Sequence, residues 1–206
     1  FSSRRRHTRY ISVTGVQTCA LPIYWYRGYH ALNYNKRPSV YDKDFISYNR
    51  IIVEDRSYRI YWVSKLVELQ LLNRGIVSFN VADNLDIDWR DEVADPETRL
   101  SERAKQHAEH YLTDITKLSI DGQSVIGSSS ANIPRSQDAT WHIVSETVFY
   151  YNKLHLTEKV FKPIVNKQPF MLLAGPGNLE YLRSYGFKTF DGIIDESYDK
   201  ITNPDK

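Results

Sequence analysis

The chain has 206 residues, 27 basic against 25 acidic, and a single cysteine. No apolar run approaches the ~20 residues of a membrane span, and one cysteine excludes a disulfide framework or a cysteine-built metal site. The formal charge of +2 is concentrated at the start, so charge has to be read segment by segment.

Residues 1–23, FSSRRRHTRYISVTGVQTCALPI, hold four arginines and no acid. Such an arm can neutralise phosphates. It makes a poor secretory signal, because Cys19-Ala20-Leu21-Pro22-Ile23 is short and broken by proline. Back-translation accounts for more. Ser2–Arg9 and Val13–Ile23 can both be written as DNA resembling the two constant parts of a short-read sequencing adapter. Tyr10, Ile11 and Ser12 then fall in frame where the variable index would lie. The expectation is a non-native, poorly packed segment, excluded from fold reasoning. Without it the chain carries 23 basic and 25 acidic residues, a net of −2, and no cysteine. That balance does not suggest a nucleic-acid partner. A cytoplasmic location, soluble or peripheral to a membrane, is the default.

Residues 24–44, rich in Tyr and Asn, read as a linker or the remnant of an upstream domain. From Phe45 a regular pattern begins. Phe45-Ile46-Ser47-Tyr48 is a strand, and Asn49–Asp55 a loop. Arg56–Asn73 has Ile60, Val63, Val67 and Leu71 at helical spacing, with Gly75 as its stop. Ile76–Phe79 is a second strand and 81–90 an acidic loop. Asp95-Pro96-Glu97 reads as the start of a helix reaching Leu118. After a loop over 121–137, Thr140–Glu146 is a third strand, and Thr157 caps a helix to about Asn166. Pro169–Ala174 is a fourth strand. Gly175-Pro176-Gly177 opens a helix that Gly186 ends, and Phe187–Phe190 is a fifth strand. Alternating strands and helices predict an α/β, Rossmann-like parallel sheet over residues 45–206, with helices on both faces. Ligands of such folds bind at the carboxyl ends of the strands.

The densest stretch there is WHIVSETVFYYNKLHLTEKVFKPI, residues 141–164. Glu146 ends a strand, and Thr157-Glu158-Lys159 begins a helix. A helix N-terminus offers free amides and partial positive charge to a phosphate. Lys159 would add a full charge, and Glu158 could accept bonds from sugar hydroxyls. Ordinary capping by Thr157, with a solvated Lys159, explains the same spacing.

Other groups have blander alternatives. Asp86-Ile87-Asp88 could chelate a metal or be a solvated acidic loop. Gly175-Pro176-Gly177 lacks a complete phosphate-binding glycine pattern, so it reads first as a tight turn. His107 and His110, three apart on a helix, lack the H-E-x-x-H pattern of a zinc site. His142 reads as a buried strand histidine. His155, just before Thr157, is better placed for chemistry. Ser145 lacks the elbow of a hydrolase nucleophile. Tyr24-Trp25-Tyr26 and Phe149-Tyr150-Tyr151 could stack a base or sugar, although packing is the commoner use of such rings.

The ordered set V-S-E-T, L-T-E-K, K-P-I and P-F-x-L-x-x-x-G resembles the carboxyl-terminal domain of the α1,3-fucosyltransferase family. Upstream, Ser47-Tyr48-Asn49, Arg56 and Val77-Ser78-Phe79 occupy matching places, so the resemblance spans about Phe45–Phe190. Glu146-Thr147 stands where the family has E-N, and Val165–Gln168 is bulkier than the family's small-residue run. The resemblance implies the truncated donor-binding half of a GT-B glycosyltransferase. That enzyme would transfer a sugar from a nucleoside diphosphate, GDP-linked on this resemblance, to a glycan or other hydroxyl acceptor. Glu146 would be the catalytic-site carboxylate near the donor sugar. Asn49, Arg56, Thr157, Glu158 and Lys159 would bind the donor. No metal or other cofactor is implied, because Arg56 and Lys159 would neutralise the departing diphosphate. The alternatives are a non-catalytic nucleotide- or glycan-binding module and a structural α/β domain.

Overall fold

A computed structural model describes residues 40–79, 88–115, 118, 135 and 138–203. The adapter-like segment, the aromatic triplet 24–26, and Asp86 and Ile87 lie outside those residues. Strands β1 (Lys43–Asn49), β2 (Gly75–Phe79), β3 (Ala139–Ser145) and β4 (Phe170–Leu173) form one sheet in the order β2-β1-β3-β4. All three pairings are parallel, with Ile46 opposite Ile76 on one side and His142 on the other. This is the Rossmann-like arrangement expected. The chain leaves β1 towards β2, then returns to place β3 on the other side of β1. A topological switch point therefore lies between the carboxyl ends of β1 and β3.

Helices α1 (Tyr58–Glu68), α2 (Trp89–Ala94) and α3 (Glu102–Tyr111) cover one face. Ile60, Val63, Leu66, Trp89, Ala104 and Ala108 pack there with Phe45 and Ile143. Helices α4 (Glu158–Val165) and α5 (Asn178–Ser184) cover the other, burying Val160, Phe161, Leu179 and Leu182 against Val144, Phe170 and Leu172. Ile143 and Val144 are adjacent in β3 yet belong to different clusters, because successive strand residues point to opposite faces. Among the described residues, no helix is long and apolar enough to cross a membrane.

Four expectations need correction. Helix α1 ends at Glu68, not near Asn73. Gln70 takes a left-handed φ of 55°, and Leu71 N–H donates to the Leu66 carbonyl at 2.8 Å, a Schellman stop without glycine. Gly75 is instead the first residue of β2. A Cβ there would lie 2.4 Å from the buried ring of Phe45, so the strand starts on a residue without a side chain. The helix expected from Asp95 to Leu118 covers only Glu102–Tyr111, and a separate helix, α2, precedes it where the acidic loop was expected to end. Asp88 caps α2 in a reciprocal capping box with Asp91, and Asp95 closes that helix in a turn through Pro96. Ser101 then caps α3 through Ala104 N–H at 3.1 Å. Phe187–Phe190 forms no strand. Its aromatics pack instead, with Phe190 edge-on to Trp141 and Phe170 at 5.3 and 5.4 Å. Gly186, at φ 86°, does end α5.

Candidate functional site

Four polar side chains knit the switch point together. Asn49 at the end of β1 donates from Nδ2 to Ser47 Oγ at 3.1 Å. Its Oδ1 accepts from Ser145 Oγ of β3 at 2.8 Å, and its backbone N–H donates to Ser78 Oγ of β2 at 2.9 Å. All four residues are fully or almost fully buried. Asn49, expected to touch a donor, is thus enclosed in a polar seam across three strands. Behind it, the buried Arg59 donates to the carbonyls of Ile51, Ser145 and Glu146. Tyr58 Oη donates to the Glu146 carbonyl at 2.7 Å. These bonds satisfy carbonyls that leave the sheet ladder at the strand end, where an unpaired buried acceptor would cost about 1–3 kcal/mol.

Glu146 itself is fully buried. Its carboxylate accepts the Thr157 N–H at 3.0 Å, the Thr157 hydroxyl at 2.5 Å and the Thr147 N–H at 3.2 Å. Thr157 in turn caps α4, its Oγ1 accepting from Lys159 N–H at 3.3 Å. Lys159 Nζ donates to Thr147 Oγ1 at 2.9 Å and Thr157 Oγ1 at 3.2 Å, and lies 3.7 Å from Glu158. Four of the predicted site residues, Glu146, Thr157, Glu158 and Lys159, are therefore brought together at one helix N-terminus. Glu146 organises that terminus from beneath. The Lys159 ammonium is the partly exposed group, its side chain 34% accessible.

Arg56 lies after β1 in a short 3-10 turn, Glu54–Arg56. No side-chain hydrogen bond or ion pair joins it to another described residue. Burial, then the neighbouring Arg59, hold its guanidinium below the usual pKa range. Arg56 thus follows β1 and Lys159 follows β3, and those two strands are neighbours in the sheet. His155 is half-buried, its Nδ1 has no partner, and burial lowers its pKa despite the attraction of Glu146.

The remaining candidates separate from this cluster. The N-terminus of α5 is occupied: Asp199 accepts Leu179 N–H at 3.0 Å and Glu180 N–H at 3.2 Å, so an internal carboxylate sits where Gly175-Pro176-Gly177 suggested a phosphate. Asp88, of the D-x-D, caps α2. His107 contacts Ser64 Oγ at 2.7 Å and lies 3.3 Å from Glu68, whereas His110 is exposed and edge-on to Tyr111, so the two do not converge. His142 is buried edge-on to Tyr48. Among the described residues, no group of three or more His, Cys, Asp or Glu is placed to hold a metal ion.

Phe149-Tyr150-Tyr151 packs rather than standing free. Phe149 stacks on Tyr58 at 4.1 Å, Tyr150 Oη bonds Ser57 Oγ at 2.9 Å, and Tyr151 lies under Arg99. The sequence reading missed Tyr58, Arg59 and Ser145 as the braces of the strand end. Arg59 on α1 and Ser145 at the end of β3 are 86 positions apart, so no local signal links them until the fold brings them together. No protein-family model, curated protein or solved structure matches this chain.

Proposed function

We propose that the chain is the donor-binding domain of a GT-B-type glycosyltransferase, fucosyltransferase-like, taking a nucleoside-diphosphate sugar at the N-terminus of α4. The observation that carries the reading is the placement of Arg56 just after β1 and of Lys159 at the α4 N-terminus after β3, the two neighbouring strands at the switch point. A diphosphate would add charge-assisted contacts to two cations, Arg56, which is partly desolvated, and Lys159, which is held by two hydroxyls and a Glu158 carboxylate at 3.7 Å. In this reading Lys159 contacts the diphosphate directly and Arg56 faces it across the crevice. Glu158 meets donor hydroxyls. Thr157 and Glu146 act as positioning residues, because the Glu146 carboxylate is committed to Thr157. The general base of an inverting transfer would come from the acceptor-binding half.

A second reading has a specific observation in its favour. Every Glu146 and Thr157 bond described above also makes sense as helix capping, which a structural α/β domain would keep. The two readings separate in a thermal-shift series at low ionic strength. A donor domain is stabilised by GDP or UDP more than by the matching monophosphate, and the gain disappears in Arg56→Ala. A structural domain shows equal, negligible shifts for all of them.

A further inference from the structure

Between α1, the start of α3 and the β4 edge lies a cavity of about 310 Å³. Met171 and Leu173 contribute from β4, Tyr58 and Trp62 from α1, and Phe149 and Tyr150 from the loop after β3. None of Glu146, Thr157, Glu158, Lys159 or Arg56 lines it. Its size is at the small end of ligand pockets.

Three of its aromatic walls already use their polar ends. Tyr58 Oη donates to the Glu146 carbonyl, Trp62 Nε1 donates to Ser47 Oγ at 3.3 Å, and Tyr150 Oη bonds Ser57 Oγ. What these rings turn to the cavity is ring surface and hydrocarbon. The two cations at its edge are also committed. Lys65 pairs with Glu68, and Arg99 pairs with Asp55 at 2.6 Å while lying over the Tyr151 ring. An anion entering would have to break one of these pairs or be buried uncompensated, which is costly. A neutral ring needs neither, and gains stacking and apolar burial.

We propose that this cavity binds an uncharged, planar aromatic small molecule of one or two rings, at a site separate from that of the diphosphate. The assignment does not depend on the glycosyltransferase reading. The test titrates the full chain with naphthalenemethanol and with naphthalenesulfonate, followed by calorimetry and ligand-observed NMR. The alcohol saturates one site, and the sulfonate binds at least ~10-fold more weakly because both cations lining the cavity are already paired. Met171→Trp fills the cavity and Thr202→Trp closes its exposed mouth. Each lowers affinity for the alcohol at least ~10-fold, and Thr202→Trp, on a surface position, keeps the wild-type melting temperature. Non-saturable binding, equal affinity for the sulfonate, or affinity unchanged in both variants would overturn the proposal. So would loss of binding as protein concentration rises, which would mean that a second copy of the chain covers the cavity.

Discussion

Replacing Thr157 with Val removes one hydroxyl from the centre of the candidate site and keeps the shape of the side chain. That hydroxyl donates to the buried Glu146 carboxylate at 2.5 Å and caps α4 through Lys159 N–H at 3.3 Å. A hydrogen bond to a buried charge is worth about 1.5–3 kcal/mol, and a helix N-cap about 1 kcal/mol. The carboxylate keeps the N–H groups of Thr157 and Thr147, so the larger penalty of an unpaired buried charge does not apply. The expected loss is therefore about 2.5–4 kcal/mol, or roughly 5–16 °C in melting temperature for a chain of this size. Urea unfolding with an unchanged slope measures it. Thr157→Ser restores the hydroxyl and should recover most of the loss. If Thr157→Val stays within about 0.5 kcal/mol of wild type, the range of an ordinary surface change, the hydroxyl is not the link between Glu146 and α4. Equal damage from Ser and Val would refute the reasoning in the same way.

Other consequences can be checked alongside. Asp199→Ala uncaps α5 and should cost about 0.5–2 kcal/mol in urea unfolding; full retention of stability would mean that Leu179 and Glu180 N–H groups find water without penalty. A Cβ at Gly175 would lie 2.5 Å from the Tyr151 carbonyl. Gly175→Ala should accordingly cost about 1–3 kcal/mol and loosen the 149–151 loop, seen as a changed near-ultraviolet dichroism of its aromatics. Burial depresses the His155 pKa below its ordinary value of 6.5. The unfolded chain then binds the proton more readily than the folded one, so stability is fully present above 6.5 and falls as pH drops through the folded value. His155→Gln should narrow the difference in melting temperature between neutral and mildly acidic buffer; an unchanged difference would assign it to other groups.

The parallel sheet was legible because β1 to β4 carry compact apolar runs separated by capped helices, and Thr157 sits where an N-cap is expected. What escaped was set by tertiary contact. Asp95-Pro96 has the composition of a helix start, yet the chain uses it to close α2, since Asp88 and Asp91 already form the capping box upstream. Phe187 and Phe190 look like strand residues, but their rings are held by Trp141, Phe161 and Phe170 rather than by a backbone ladder. At the site, the T-E-K spacing pointed to α4. Nothing local shows that Glu146, eleven positions earlier, supplies the acceptor beneath Thr157. Asn49 likewise reads as the first residue of a loop, open to a donor, until Ser47, Ser78 and Ser145 are seen to enclose it.

The central claim is that Lys159 and the α4 N-terminus receive a diphosphate. Calorimetric titration of the chain with GDP and UDP, beside Lys159→Ala, tests it most directly. The account predicts saturable binding of at least one diphosphate, weakened about tenfold or more by loss of the ammonium's charge-assisted contact, in a variant whose unfolding is otherwise unchanged. A folded chain that binds neither nucleotide, or a Lys159→Ala variant that binds as well as wild type, would contradict it.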